Sequence, residues 1–501
     1  MAKRRAGDPA FRDLEYFQWI GRTLATRATM FWLFLVCLWL GWRQRTRLSK
    51  LITSFFMEKD TPLNLGVFRI VMFGLLFMYR DQDNLAYYST LPDELLFPPA
   101  GLGPLLAWLP RSPEIAEWSI WLLRIFCVLA MFGVLTRITT IATVLLALYV
   151  LGLPQMFGKV NHVHHVIWFT ALLAASPCGA ALSVDSLVKK LCNRENRLPR
   201  KAIAYALPLR FTWILLGLIY FFPGFWKLWT GGVDWILSDH LQNQMYHLWS
   251  THQDRYEIRF LAESKFLTVL GGVGTIAFEL SFIFLMFHRS TRALALIGGL
   301  LFHNAVGITL RIAFYTLQAS YVSLIDWQWL RDRFGESEPY EQRAGQRPPS
   351  PLPTVLVGII ILVPTFWFGF KGESDGWPFA CYPRFAYPIF EPERSVIEFD
   401  TVNQDGIATN NKLEKLRSNF RTARWIGLLR SVLATTDEDL RNKRLATLGT
   451  LAQDETEEAT TLRFYRATYS TLPQDWENPP LRRDLLAEIR VQPPPLADDG
   501  P

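Results

Sequence analysis

Residues 205–229 read YALPLRFTWILLGLIYFFPGFWKLW. This stretch holds two charged side chains, Arg210 and Lys227, and is otherwise apolar or aromatic. About 20 such residues suffice for an α-helix to cross a bilayer. Trp226 and Trp229 stand at one end, where interfacial aromatic belts lie. Pro208 and Pro223 do not argue against a span, because bundles re-satisfy the backbone groups that proline frees. Comparable apolar segments occur near 64–79, 118–136, 138–156, 162–178, 266–287, 292–310, 312–326 and 353–370, so about nine spans are expected. Composition agrees. Of 501 residues, 50% are hydrophobic and 19% charged, against about 25% charged in soluble chains. That excludes disorder, collagen, a coiled coil and an ordinary soluble enzyme. The expected fold is an all-α polytopic membrane helical bundle with a small, α+β extracytoplasmic C-terminal region.

The loops orient the spans. Residues 1–60 hold eleven Lys/Arg and five acids, and loop 180–202 holds six Lys/Arg and two acids. Loop 81–117 holds one Lys/Arg and six acids, and loop 230–265 three against five. Basic loops stay in the cytoplasm, so the alternation predicts a cytoplasmic N-terminus and an extracytoplasmic tail. The net charge is +7, and residues 371–501 carry −4 of it. The basic excess therefore reads as topology, and no nucleic-acid partner is expected. The chain divides into a basic cytoplasmic N-terminal region (1–60), a transmembrane core (61–330), a cytoplasmic Pro-rich linker (331–352), a last span (353–371) and an extracytoplasmic C-terminal region (372–501). The apolar run Met30–Trp42 is only 13 residues long, which predicts an interfacial or tightly tilted helix, with a true extra span as the alternative. In the tail, Ser395–Thr401 is strand-like, 411–432 and 437–453 are amphipathic and helical, and QPPPLADDGP should be disordered. The five cysteines show neither a disulfide framework nor zinc spacing.

Ionisable residues inside spans are costly and mark function by default. All eight histidines lie between 162 and 303. Asn161, His162, His164 and His165 open the fourth span, Lys227 stands near the end of the fifth, Glu279 midway along the sixth, and His303 and Asn304 midway along the seventh. The predicted topology brings imidazole, amine and imidazole toward one leaflet. A desolvated lysine can act as a base, and a neighbouring His or Asn can stabilise a developing oxyanion. Aromatic residues from Tyr220 to Trp226, among them Phe225, suit a flat hydrophobic ligand such as a quinone. The plainer alternatives are snorkelling for Lys227, polar helix contacts for His303, pairing within the bundle for Glu279, and snorkelling or pairing for Arg69. No carboxylate or cysteine stands at helical ligand spacing from the His cluster, so no metal is expected.

Five strings in order carry a resemblance: PLNLGVFRIVMFG, LTRITTIATVLLALY, GKVNHVHHVIWFTALLAASPCGAALSVDS, YFFPGFWKLWTGGVDW and LFHNAVGITLRIAFY. Together they resemble the HTTM superfamily over about residues 61–330, the group that includes vitamin K-dependent gamma-glutamyl carboxylase and its prokaryotic relatives. The resemblance implies a membrane enzyme that uses reduced vitamin K or a related quinol, O2 and CO2. In that family a lysine deprotonates the quinol, oxygenation yields an alkoxide that abstracts a glutamate γ-proton, and an epoxide remains. The family's Gly-x-Lys-Lys-Leu string matches Gly224, Phe225, Trp226, Lys227 and Leu228, with Trp226 in place of the first lysine. Lys227 thereby takes the role of base. The family's Asn-His pair matches Asn161 and His162, and its Phe-His string matches Phe302 and His303. The implied catalytic residues are Lys227, His162 and His303, with Asn161, Tyr220, Phe225 and Trp226 at the cofactor. The implied partners are a secreted protein or peptide bearing the glutamate, a quinone or epoxide reductase, and the lipid bilayer. The tail of about 130 residues shows no propeptide-binding region, so quinol oxidation is the firmer expectation. The competing class is a non-enzymatic maturation factor or scaffold that binds a secreted peptide or lipid.

Overall fold

The computed structural model describes residues 14–79, 85–192, 201–253, 256–335, 348–380, 383, 385–403, 405–412, 422–453 and 460–490. Cys381, the end QPPPLADDGP and most of the Pro-rich linker lie outside the described residues. The membrane core contains α1 (Leu14–Arg43), α2 (Arg45–Met57), α3 (Pro62–Met78), α4 (Pro113–Phe132), α5 (Thr136–Gly152), α6 (His165–Ala174) and α7 (Ile203–Gly231). It continues with α8 (His240–Trp249), α9 (Lys265–Leu285), α10 (Arg289–Leu310), α11 (Tyr315–Ser320) and α12 (Leu352–Lys371). Among the described residues, seven helices are long and apolar enough to cross a membrane. The protein is an integral, multi-pass membrane protein.

Three of the nine expected spans are not helices long enough to cross a membrane. The 64–79 and 162–178 segments become α3, of 17 residues, and α6, of 10 residues. The 312–326 segment is not one helix. Arg311 adopts a left-handed conformation (φ 55°), residues 311–314 are irregular, and α11 then passes into a short 3-10 turn, Tyr321–Leu324. The segment nevertheless runs back along α10, because Asp326 at its end pairs with Arg289 at the start of α10 (2.8 Å). Irregular backbone at this depth is tolerated only when protein or a cavity surrounds it, and this segment borders the main cavity.

The 30-residue helix α1 revises the expectation for Met30–Trp42. Arg22 and Arg27 interrupt the apolar pattern in sequence, but both have partners on the bundle. Arg22 pairs with Asp234 (2.9 Å), and Arg27 donates to the Trp229 carbonyl (2.7 Å). The apolar run is therefore the second half of a helix long enough to span. Trp19 also packs on Phe390 (5.8 Å). The beginning of α1 thus lies on the same face of the bundle as the C-terminal region, where the loop charges alone place the two ends on opposite faces.

Contacts define the two faces. At one, Asp60 pairs its backbone with Ala202, Arg210 bonds Glu58 (3.0 Å), and Thr354 donates to the Ala175 carbonyl (3.0 Å). At the other, Trp226 donates to the Gly369 carbonyl (2.9 Å) and Trp249 to the Thr309 carbonyl (2.6 Å). Arg69 does not snorkel, and its hydrogen bonds among the described residues go to backbone carbonyls. Fully buried, it donates to the carbonyls of Cys178 (2.7 Å) and Leu182 (2.5 Å), holding the end of the α6 connection against α3.

The C-terminal region is a four-stranded antiparallel sheet with α13 (Thr422–Leu433) and α14 (Glu438–Gln453). Its strands are β1 (Glu393–Val402), β2 (Ala408–Lys412), β3 (Thr461–Ser470) and β4 (Arg482–Arg490), ordered β2-β1-β3-β4. The strand expected at 395–401 is the centre of β1. Residues 411–412 belong to β2, not to the helix expected there, because Asn411 pairs across to Phe399. Phe399, Leu462 and Phe464 of the sheet and Trp425, Leu428 and Leu448 of the helices join the continuous core. The region is fastened to the bundle through Arg424, which donates to the carbonyls of Pro154 and Lys159. Gly427 makes this docking possible, since a Cβ there would fall 2.1 Å from the Gly158 carbonyl oxygen.

Candidate active site

On α7 the side chains of Tyr220, Pro223 and Lys227 follow the i, i+3, i+7 spacing that puts them on one helical face. That face turns toward α9 and α10. Close approach of α9 depends on glycine: a Cβ at Gly217 would lie 2.6 Å from Ile283 Cγ1, and one at Gly224 would lie 2.9 Å from Glu279 Cβ. Small residues at helix interfaces commonly serve this purpose in membranes. The consequence here is chemical. Lys227 and Glu279, both nearly buried (side chains 5% and 7% exposed), meet in an ion pair through Nζ and Oε1. Lys227 therefore does not snorkel. Its ammonium also lies 5.2 Å from the centre of the Trp235 ring.

This pair forms part of the wall of a cavity of about 870 Å³. The cavity brings together Lys227, His162, His303, Asn161 and Tyr220, all singled out in the sequence. It does not include Phe225 or Trp226. Phe225 stacks between Phe221 and Trp229, while Trp226 donates to Gly369 of α12. At 100° per residue, positions 225 and 226 point well away from the face of 220, 223 and 227, so the aromatic cluster divides between cavity and helix packing. Asn304 likewise turns away, donating to the Leu300 carbonyl on the exposed side of α10 (2.8 Å).

The remaining polar groups are held by short networks. Tyr220 Oη bonds both His303 Nε2 (2.8 Å) and Tyr321 Oη (2.6 Å). The Asn161 amide donates to Gln155 Oε1 (2.7 Å), His164 Nε2 donates to the Ala380 carbonyl (2.6 Å), and Trp168 Nε1 donates to the Pro378 carbonyl (2.6 Å). The loop after α12 is thereby drawn over the His cluster, and its Ala380 and Phe385 border the cavity.

Two residues gain weight only in three dimensions. Glu279 is the direct partner of Lys227. His240, at the start of α8, is fully buried against Trp235 (4.9 Å between ring centres). Its Nδ1 accepts from the Ile389 amide (2.9 Å), so Nε2 carries the proton of the neutral ring. Burial, and then the charge of Lys227, push its pKa down to about 3. The available sequence signal for His240 was its membership of the histidine-rich interval, but it stands in a loop helix and not in a span.

The buried atoms on this wall that have no hydrogen-bond partner among the described residues include Glu279 Oε2, His240 Nε2 and His303 Nδ1. Buried polar atoms are nearly always satisfied, and exceptions call for an explanation such as a ligand. The set offers one acceptor and imidazole nitrogens able to donate, in a largely apolar chamber. Among the described residues, no group of three or more His, Cys, Asp or Glu is arranged to hold a metal ion.

Fold and site thus define a helical membrane protein with a buried lysine–glutamate pair on the wall of an apolar, imidazole-edged cavity. A family model, the HTTM domain, matches residues 56–328, more than half of the chain, and the protein belongs to that family. The HTTM domain is the one found in vitamin K-dependent carboxylase. No curated protein and no solved structure matches the chain.

Proposed function

We propose that the protein oxidises a reduced quinone of the vitamin K type with O2 to its epoxide, with Lys227 as the base that removes the quinol proton. The observation that carries this reading is the buried Lys227–Glu279 pair on the wall of a large apolar cavity, where Glu279 Oε2, His240 Nε2 and His303 Nδ1 have no hydrogen-bond partner among the described residues. A quinol fits that environment. Its ring and side chain match the apolar lining, and its two oxygens match the donors and acceptor left without a partner among the described residues. The quinol supplies all four electrons that reduce O2: one oxygen atom enters the epoxide and the other leaves as water with the two quinol hydrogens.

The chain's own residues have defined tasks. Lys227 takes the proton and then faces the resulting oxyanion as an ammonium. His303, held by Tyr220, and His240, held by the Ile389 amide, offer ring nitrogens to ligand oxygens. Asn161 and His162 border the same space from the start of the α6 segment and stabilise the oxygenated ligand. The bundle excludes water, which strengthens each of these interactions. Oxidation is proposed to drive carboxylation of a glutamate in a secreted protein or peptide, with CO2 as co-substrate and a quinone or epoxide reductase regenerating the quinol. The cavity lies toward the face that carries the C-terminal region, opposite the basic loops. The positive-inside rule makes that face extracytoplasmic, and the start of α1 shares it.

The test uses the full-length protein in nanodiscs with reduced vitamin K and O2. Wild type should form epoxide, and Lys227→Ala should form none above background. Absence of epoxide from wild type with several quinols would refute the enzyme reading and favour a scaffold that binds a secreted peptide.

A further inference from the structure

We propose that Glu279 is the proton acceptor that makes Lys227 a working base: it takes the ammonium proton of Lys227 as Lys227 takes a proton from the quinol. The inference rests on the quinol-oxidising reading of the site and adds a residue to its chemistry.

Lys227 Nζ donates to Glu279 Oε1, and both side chains are removed from water. A lysine in such a contact is an ammonium with no lone pair, so it cannot accept a proton until it has given one up. Among the described residues, Glu279 is the carboxylate in contact with it. The Glu279 carboxylate is also poorly satisfied. Its Oε2 is buried and receives no hydrogen bond from any described residue, whereas a buried charge normally requires pairing and full hydrogen bonding. Protonation removes that unsatisfied charge. Gly224 is what brings the two groups into line, since any side chain there would push Glu279 away.

The step balances without an outside reagent. The N–H bond of Lys227 nearest Glu279 breaks, and an O–H bond forms on Oε1. The freed nitrogen lone pair forms a new N–H bond with the quinol proton as the quinol O–H bond breaks. Lys227 is again an ammonium, Glu279 is a neutral acid, and the quinol is a monoanion facing the ammonium. One proton has moved from quinol to Glu279, no electron has moved, and the net charge of the three groups is zero before and after. A lone buried lysine would instead have to release its proton to water.

The test has two arms, both with full-length protein in nanodiscs and reduced vitamin K as the probe. In the first, without O2, the infrared difference spectrum on adding quinol should show a new protonated-carboxyl C=O band. The band should be missing in Glu279→Gln, and missing in wild type given the quinol dimethyl ether, which has no proton to lose. In the second, with O2, Glu279→Gln should lower kcat about a hundredfold or more, the usual scale of acid–base participation, with KM little changed. Glutamine preserves the shape and can still accept a hydrogen bond from Lys227 but cannot take its proton, and the infrared band is the readout that a purely structural role of Glu279 would not produce. If Glu279→Gln fails to fold, the wild-type infrared arm decides. Wild type that makes epoxide without the carboxyl band, or Glu279→Gln that turns over like wild type, overturns the role of Glu279 alone. Wild type that makes no epoxide overturns the quinol reading and this inference with it.

Discussion

Removing one member of the Lys227–Glu279 pair should cost far more stability than removing both. The two side chains are 5% and 7% exposed, so screening by solvent is slight. Breaking a buried pair typically costs about 3–5 kcal/mol, while replacing both members with apolar residues is often neutral or stabilising. The upper limit of each single cost is set by neutralisation, because a stranded charge sheds or gains a proton. With ordinary pKa values, discharging the lysine left by Glu279→Leu costs at most about 4.6 kcal/mol at pH 7. Protonating the glutamate left by Lys227→Met costs at most about 3.7 kcal/mol. The first penalty should shrink by about 1.4 kcal/mol per unit as pH rises, and the second by the same amount per unit as pH falls. The double variant should unfold close to wild type. The assay is reversible unfolding of wild type, both single variants and the double variant in mixed micelles at several pH values. Single penalties below about 1 kcal/mol, or a double penalty equal to their sum, would refute a paired buried charge.

Four further outcomes are expected. Gly224→Ala should lower the thermal transition, because crowding against Glu279 Cβ costs about 1–3 kcal/mol. Gly274→Ala on the open side of α9, where nothing lies within 4 Å, should be neutral or stabilising. Arg424→Ala, which strands the buried carbonyls of Pro154 and Lys159, should cost about 2 kcal/mol. It should also hasten proteolytic release of the C-terminal region while the bundle stays intact. His240 is neutral in the folded protein down to about pH 3 but protonated in the unfolded chain below its ordinary 6.5. The unfolded state therefore binds the extra proton between those values, and stability should fall as pH drops through that window. His240→Gln should flatten this part of the stability–pH curve.

Much of the architecture was legible in the sequence because a bilayer imposes simple rules. Apolar length fixes where helices cross, as at Ile203–Gly231, and basic loops mark one face. The rules weaken where chain polarity is resolved by a distant partner. Arg22 and Arg27 concealed α1 because Asp234 and the Trp229 carbonyl are more than 200 residues away. The 312–326 segment looks continuous in hydropathy, yet Arg311 and the cavity beside it break its helix.

The sequence by itself determined that this is a multi-span membrane protein of the HTTM family, and that Lys227, His162 and His303 are polar groups in apolar surroundings. Hydropathy and motif order are local properties, readable without coordinates. Only the tertiary structure decided which groups meet. It joined Glu279 to Lys227 through the space left at Gly224, brought His240 in from a loop helix, and turned Phe225 and Trp226 away from the cavity. The physical reason is that a proton-transfer site is made of contacts of about 3 Å, and contacts of that length between separate helices depend on rotation and packing that no stretch of sequence carries alone.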